Sequence, residues 1–275
     1  MQTILKRILS DEEAVERFIS KSKDEQVKND YLAFRGYEEK LRTNIVATAL
    51  SVLTPLNDDS IAKVTSVNTW DITKLRSTKL ALYIQNPLTD MAYLSSLTSI
   101  FFETLWRYVM GKLPQKDDRD VFFLIDEAFS LYLPSLSVTV ANVRKYRAGV
   151  MLVLQNFNQL VHLYGKPEAD TIASNCLTKL YLSGQALESA KMLESILGKY
   201  EYKDEEGNRH IRPLMTSSEI RMLSHKNGLL IRSNLPPIKA KLKPYYKRWH
   251  LSRRSKLPSP KTTRHIPHNL IHLNF

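Results

Sequence analysis

The sequence has a single cysteine, Cys176, so no internal disulfide can form, and this usage fits a reducing compartment. Ala173, Leu177 and Leu180 lie near it in sequence and mark it as a small buried hydrophobe rather than a reactive thiol. No run approaches the ~20 apolar residues that a membrane-crossing helix needs, and residues 1–10 lack the apolar core of a signal peptide. None of the 275 residues is therefore expected to insert into a membrane unaided. Acidic residues are missing from one end: from Pro236 onward there are ten Lys or Arg and no Asp or Glu. The preceding part holds 30 basic against 28 acidic residues, so ten of the twelve net positive charges belong to the tail. A basic isoelectric point alone does not make the folded body a nucleic-acid binder.

What is present suits one large α/β domain, with or without appendages, since 43% of the residues are hydrophobic and 25% charged. Residues 1–36 are polar and mixed in charge, as in short surface helices. Leu41, Ile45, Ala49 and Leu53 then recur every fourth residue and predict a helix with one apolar face, closed by Pro55 and the cluster Asn57, Asp58 and Asp59. Residues 80–84, an apolar run closed by Asn86 and Pro87, read as a buried strand. A helical pattern follows from Met91 to Val109. Further buried strands are expected at 121–125, 150–154, 179–182 and 228–232, with helices between them. Apolar strands alternating with helices predict a mostly parallel sheet covered on both faces. Residues 200–212, centred on Glu206, Gly207 and Asn208, read as a surface hairpin. Gly198 should end the helix before it, and Thr216 with Glu219 forms a capping-box pattern.

The sharpest chemical signal is Val121-Phe122-Phe123-Leu124-Ile125 followed by Asp126 and Glu127. Ligands of open α/β sheets bind at the carboxyl ends of strands, where these two carboxylates would sit. There Asp126 can hold Mg2+ through water and Glu127 can polarise an attacking water. By itself the pattern reads equally as a strand followed by an acidic helix cap. The next strand ends at Gln155, an amide able to contact a γ-phosphate or its water, or simply a solvent-exposed terminus. Between the two signals lie Arg144, Lys145 and Arg147, candidates for an arginine finger reaching across a subunit boundary, or plain surface charges.

Taken together and in order, the segments 123–131 (FLIDEAFSL), 144–160 (RKYRAGVMLVLQNFNQL), 164–165, 175–184, 212–220 and 236–241 with 244–246 resemble the TraG/TraD-type coupling proteins of conjugative and type IV secretion systems. The resemblance runs from about Tyr37 to Lys247. It implies the C-terminal half of a RecA-like P-loop NTPase domain that uses ATP and Mg2+. It also implies a hexameric ring of coupling-protein subunits on the cytoplasmic side of the bacterial inner membrane. That ring would pass single-stranded DNA and attached protein, delivered with relaxosome proteins, to the secretion channel. Asp126 and Glu127 match the Walker B pair of the family, Gln155 its sensor glutamine and Arg144 its arginine finger, with Arg147 the second choice. The implied division is a helical segment over 1–60, the end of an all-α domain, the motor portion over 61–247, and a basic tail without fixed structure over 248–275.

One departure bears on activity. No Gly-x-x-x-x-Gly-Lys-Ser/Thr occurs: Gly111-Lys112, Gly165-Lys166 and Gly198-Lys199 are followed by Leu, Pro and Tyr. The membrane helices implied by the resemblance are likewise outside this sequence. ATP hydrolysis is therefore not expected of these residues alone. Two other readings stay open, a nucleotide-independent module that binds DNA or relaxosome proteins, and an inactive truncated remnant. The tail, rich in Lys and Arg around Trp249, suits a polyanion through counterion release. His265, His268 and His272 lack neighbouring Cys or carboxylates and do not read as a metal site.

Overall fold

The computed structural model describes residues 12–258, apart from 54, 56, 57, 67 and 69. The histidines at 265, 268 and 272 and the end of the basic tail lie outside the described residues. Backbone packing divides the described chain into two compact units, one upstream of Trp106 and one from Trp106 onward.

The first unit is helical: α1 (Glu12–Ser20), α2 (Glu25–Arg35), α3 (Glu39–Leu53), α4 (Asp59–Thr65) and most of α5, which spans Met91–Met110. Side chains begin two of these helices. Asp24 accepts from the backbone N–H of Gln26, and Asp58 from those of Ser60 and Ile61. The expected stripe on α3 forms on a helix but is not buried, with Leu41 and Ile45 both exposed. Residues 80–84 are a correction. They form no strand, and Leu80, Leu82, Tyr83 and Ile84 are exposed. No described strand pairs with them, so their backbone groups have no ladder to join.

The second unit carries the sheets. β1 (Val121–Ile125) and β2 (Ala148–Leu152) pair in parallel, with Val121 opposite Ala148 and Ile125 opposite Leu152. α6 (Leu136–Asn142) lies between them in sequence, and α7 (Phe157–Tyr164) and α8 (Lys166–Asn175) follow. β1 alternates strictly: Val121, Phe123 and Ile125 are buried while Phe122 and Leu124 are about 70% exposed. Trp106 meets Phe123 edge-to-face at 6.1 Å, fixing the buried side of the strand. On the other side the Phe122 ring lies so close to Gly149 that a Cβ there would stand 3.1 Å from it.

β3 (Thr178–Leu182), α9 (Leu187–Leu197), the hairpin β4 (Lys199–Lys203) and β5 (Arg209–Pro213), α10 (Ser217–Arg221), β6 (Asn227–Arg232) and β7 (Leu235–Lys241) complete the unit, and α11 (Trp249–Ser255) follows. Ala190, Leu193, Ile220, Leu223 and Leu229 form one buried cluster that joins α9 and α10 to β6, with Tyr181 of β3 packed against it. The capping box at Thr216 and Glu219 and the positive φ of 77° at Gly198 are both as the sequence indicates.

Two sheet expectations are corrected. Among the described residues parallel pairing is confined to β1 and β2; β6 runs antiparallel to both β3 and β7, and β4 is antiparallel to β5. Nor are both faces covered, because Phe122, Leu124 and Met151 of the first sheet and Leu180, Leu182 and Ile238 of the second stay exposed. The strand β7 and the helix α11 were not expected. β7 contains Pro236 and Pro237, which a strand tolerates at a sheet edge, and β7 is the edge strand of its sheet. No helix among the described residues is long and apolar enough to cross a membrane.

Candidate functional site

Asp126 and Glu127 leave β1 at its carboxyl end, and backbone hydrogen bonds fold the turn over the end of β2. The N–H of Val153 donates to the Ile125 carbonyl at 3.0 Å, and the N–H of Ala128 donates back to the Val153 carbonyl at 3.0 Å. Asp126 and Glu127 are thus looped out between two residues tied to the same neighbour. Glu127 takes the left-handed conformation, φ 50° and ψ 50°, which a residue with a Cβ seldom adopts. Its N–H donates to Asp126 Oδ1 at 3.1 Å, and its carbonyl accepts from the N–H and hydroxyl of Ser130 at 2.9 and 2.8 Å. Both side chains are exposed, and neither makes an ion pair among the described residues. Adjacent carboxylates held this way repel each other and favour a cation between or beside them.

Gln155 follows Val153 by two residues, so it lies at the same carboxyl edge. Its surroundings are built by the start of α7. The Asn156 side chain caps the helix through the N–H of Gln159, and the Gln159 side chain returns to the backbone N–H of Asn156 at 3.4 Å and that of Gln155 at 3.1 Å. The Gln159 Nε2 donates to Gln155 Oε1 at 3.4 Å. A cleft of about 290 Å3 opens here, lined by Phe129, Asn156, Asn158, Gln159, His162 and Leu163. Gln159 is the residue that reading the sequence missed. Its signal was available, an Asn followed three residues later by Gln at a helix start.

Arg144 and Arg147 lie at the opposite end of the parallel pair, before β2 begins. A five-residue strand separates the two edges by roughly 13 Å at ~3.3 Å per residue. The two arginines differ. Arg147 has φ 49°, donates Nε to Asp120 at 2.8 Å, and donates from its guanidinium to the carbonyls of Gln115 at 3.0 Å and Lys116 at 3.4 Å. Its own carbonyl accepts from the N–H that opens β1, that of Val121, at 3.2 Å. Arg144 is exposed, and its side chain has no ion-pair or hydrogen-bond partner among the described residues.

The residues present fit one half of a nucleotide site. Asp126 and Glu127 offer hard oxygen donors, which suit Mg2+ bound through water. No group of three or more His, Cys, Asp or Glu able to hold a metal by itself occurs among the described residues. The phosphate half does not fit, because no glycine-rich loop with a following Lys is in the sequence.

This arrangement, acidic residues and an amide at the carboxyl edge of parallel strands flanked by helices, is that of an α/β protein, a class whose ligands bind at such edges. The sequence matches the family described as "Type IV secretory system Conjugative DNA transfer" over residues 4–269, and the chain belongs to that family. It is 22% identical over 205 residues to Protein VirD4 of Agrobacterium fabrum, covering 69% of this chain and 31% of that protein. Among solved structures, the bacterial conjugative coupling protein TrwB in a trigonal form with sulphate matches with a TM-score of 0.64 and 22% identity, over 76% of this chain and 51% of that chain. The plasmid coupling protein TrwB in complex with ADP and Mg2+ matches with a TM-score of 0.51 and 24% identity, over 56% of this chain and 38% of that one. The fold is accordingly the RecA-like α/β fold of these proteins. The chain spans about a third of the length of the curated relatives it matches.

Proposed function

We propose that this chain is the C-terminal portion of a coupling ATPase for conjugative DNA transfer, and that it supplies the water-activating edge of a nucleotide site whose phosphate loop another polypeptide segment provides. The observation that carries this reading is the placement of Asp126, Glu127 and Gln155 at one carboxyl edge, tied by the Ile125, Val153 and Ala128 hydrogen bonds. Mg2+ bound with ATP neutralises charge on the phosphate oxygens. Asp126 would hold that ion through water. Glu127 would take the proton of the attacking water, and Gln155 would donate a hydrogen bond to the phosphate or the water.

Arg144 is free to reach a neighbouring subunit, whereas Arg147 is occupied by Asp120 and two carbonyls. Family membership supports a ring of coupling-protein subunits, hexameric by resemblance, at the cytoplasmic side of the inner membrane. It also supports single-stranded DNA with attached protein, relaxosome proteins and the secretion channel as partners. The division into a helical segment over 1–60, a motor portion over 61–247 and a basic arm over 248–275 belongs to the same proposal.

The test mixes this chain with a polypeptide carrying the phosphate loop, adds DNA, and measures ATP hydrolysis. Hydrolysis should need both parts and should fall at least 100-fold with Glu127→Gln, the order expected for removal of a positioned proton acceptor. An unchanged rate in that variant would remove Glu127 from the mechanism.

A second reading, nucleotide-independent binding of nucleic acid, is favoured by one observation. Tyr245, Tyr246 and Trp249 are exposed at 57%, 62% and 76% among Lys243, Lys247 and Arg248, and the Arg253 guanidinium lies 5.7 Å from the Trp249 ring.

A further inference from the structure

We infer that Gln159 is a positioning residue that sets which end of the Gln155 amide is offered to the nucleotide site; this rests on the role of Gln155 given above. The hydrogen bonds fix the direction one after another. Backbone N–H groups can only donate, so the atom of Gln159 that receives those of Gln155 and Asn156 is its oxygen, at 3.1 and 3.4 Å. The other end of that amide, Nε2, can only donate, and it donates to Gln155 Oε1 at 3.4 Å. The oxygen of Gln155 is thereby engaged, and its own NH2 remains to donate. A donor is what a phosphate oxygen, or the lone pair of an attacking water, requires.

The spacing makes this possible. Gln155 precedes the N-cap Asn156, and Gln159 stands at the third helical position, so one side chain closes the capping box and reaches back over the strand end. The helix start and the orientation of Gln155 thus share a single amide. They separate chemically, because capping uses only the oxygen of Gln159 while orienting uses only its nitrogen.

Gln159→Glu exploits this separation. A carboxylate still accepts from both backbone N–H groups, and an acid in the first turn of a helix suits its dipole. It cannot donate to Gln155 Oε1, so Gln155 turns its NH2 toward the carboxylate and presents oxygen to the site. Gln159→Ala loses both roles.

The experiment uses the full 275-residue chain with 15N-labelled glutamine. The side-chain NH2 of Gln159 should exchange with solvent several-fold more slowly than that of Gln115, and Gln155→Ala should abolish the difference without lowering the melting temperature. Gln159→Glu should melt within about 1 °C of the parent, and Gln159→Ala about 2–4 °C lower, the shift expected for a lost cap. In hydrolysis assays with the phosphate-loop polypeptide, Gln159→Glu should lower kcat as much as Gln155→Ala, leave KM within twofold, and add nothing in the double variant.

Additive losses, or Gln159 exchange indifferent to Gln155→Ala, overturn the inference. Should Gln155→Ala hydrolyse ATP at the parental rate while still exposing the Gln159 amide, the failure lies with the role given to Gln155, and the contact is then only a helix cap.

Discussion

Glu127 is held with φ 50° and ψ 50°, a conformation that costs a residue with a Cβ about 1–2 kcal/mol relative to the right-handed form. Glycine removes that cost but loses about 0.5–1 kcal/mol through the freedom of its unfolded chain. Glu127→Gly is therefore expected to raise the unfolding free energy by about 0.5–1 kcal/mol in urea titrations, and on the proposed mechanism to abolish hydrolysis in the mixture with the phosphate-loop polypeptide. Glu127→Gln, which keeps the strain, should leave stability unchanged. A less stable glycine variant would show that the turn is not strained. The same backbone conformation at Arg147, φ 49°, serves a different end, since its guanidinium joins Asp120 to the loop carbonyls of Gln115 and Lys116. Both partners of the ion pair are about half exposed, so the contribution is modest. Arg147→Ala should cost about 1–2 kcal/mol in thermal melts, and Arg144→Ala less than about 0.5 kcal/mol. That contrast separates an arginine that holds the fold from the one proposed to reach a neighbouring subunit. Asp126, Glu127, Gln155 and Arg144 stand out in the sequence because each ends or precedes an apolar strand, and the structure brings the first three to one edge and leaves Arg144 at the other. The sequence could not show that Arg147 is engaged, since Asp120 lies 27 residues away.

At the scale of elements, α10 shows how a local pattern becomes a tertiary tie. Glu219 closes the capping box by accepting from the N–H and hydroxyl of Thr216, and also accepts from Arg212 of β5 at 2.5 Å. The backbone N–H of Thr216 first, then the Arg212 guanidinium and the Thr216 hydroxyl, hold the Glu219 carboxyl below its ordinary range. A carboxyl with a depressed folded value stabilises the fold above its unfolded value, about pH 4.3, and that stabilisation is lost as pH falls through the folded value. Stability should therefore decline on acidification below about pH 4.3, and Glu219→Gln should flatten that part of the pH profile. Asp204, lowered chiefly by its hydrogen bond from His210, adds to the same slope through the β4–β5 hairpin. The capping box was legible because it is complete within four residues. Strand partners were not. The apolar runs of β1 and β3 look alike, yet β1 pairs in parallel with β2 while β3 pairs in antiparallel with β6, some 50 residues further on. Residues 80–84 have the composition of a buried strand, but a strand exists only with a partner, and none is described for them.

At the scale of the whole molecule two exposed surfaces stand out, a basic end with aromatic side chains and a bare sheet face. The basic end, around the exposed Trp249, is expected to bind single-stranded DNA with an affinity that falls steeply between 50 and 200 mM salt. Removing residues 248–275 should lower that slope; equal slopes with and without them would dissociate the arm from DNA. The bare sheet face belongs to the β1–β2 pair. Phe122, Leu124 and Met151, at 71%, 70% and 57% exposure, share one face of the β1–β2 pair, because Phe122 lies opposite Gly149 and Leu124 opposite Met151. Two strands with one bare face are marginal in water, whereas a sheet completed by further strands and helices is not. Covering three such side chains is worth roughly 1.5–3 kcal/mol each, a large fraction of the stability of any domain. The isolated chain should accordingly bind the dye ANS at neutral pH and elute as concentration-dependent oligomers. Phe122→Thr with Leu124→Thr should cut both effects, threonine being at home in strands but less apolar. Addition of the polypeptide that bears the phosphate loop should do the same to the parent chain and lose its effect on the double variant. Dye binding and elution unchanged by that polypeptide would mean that this face is covered by some other partner.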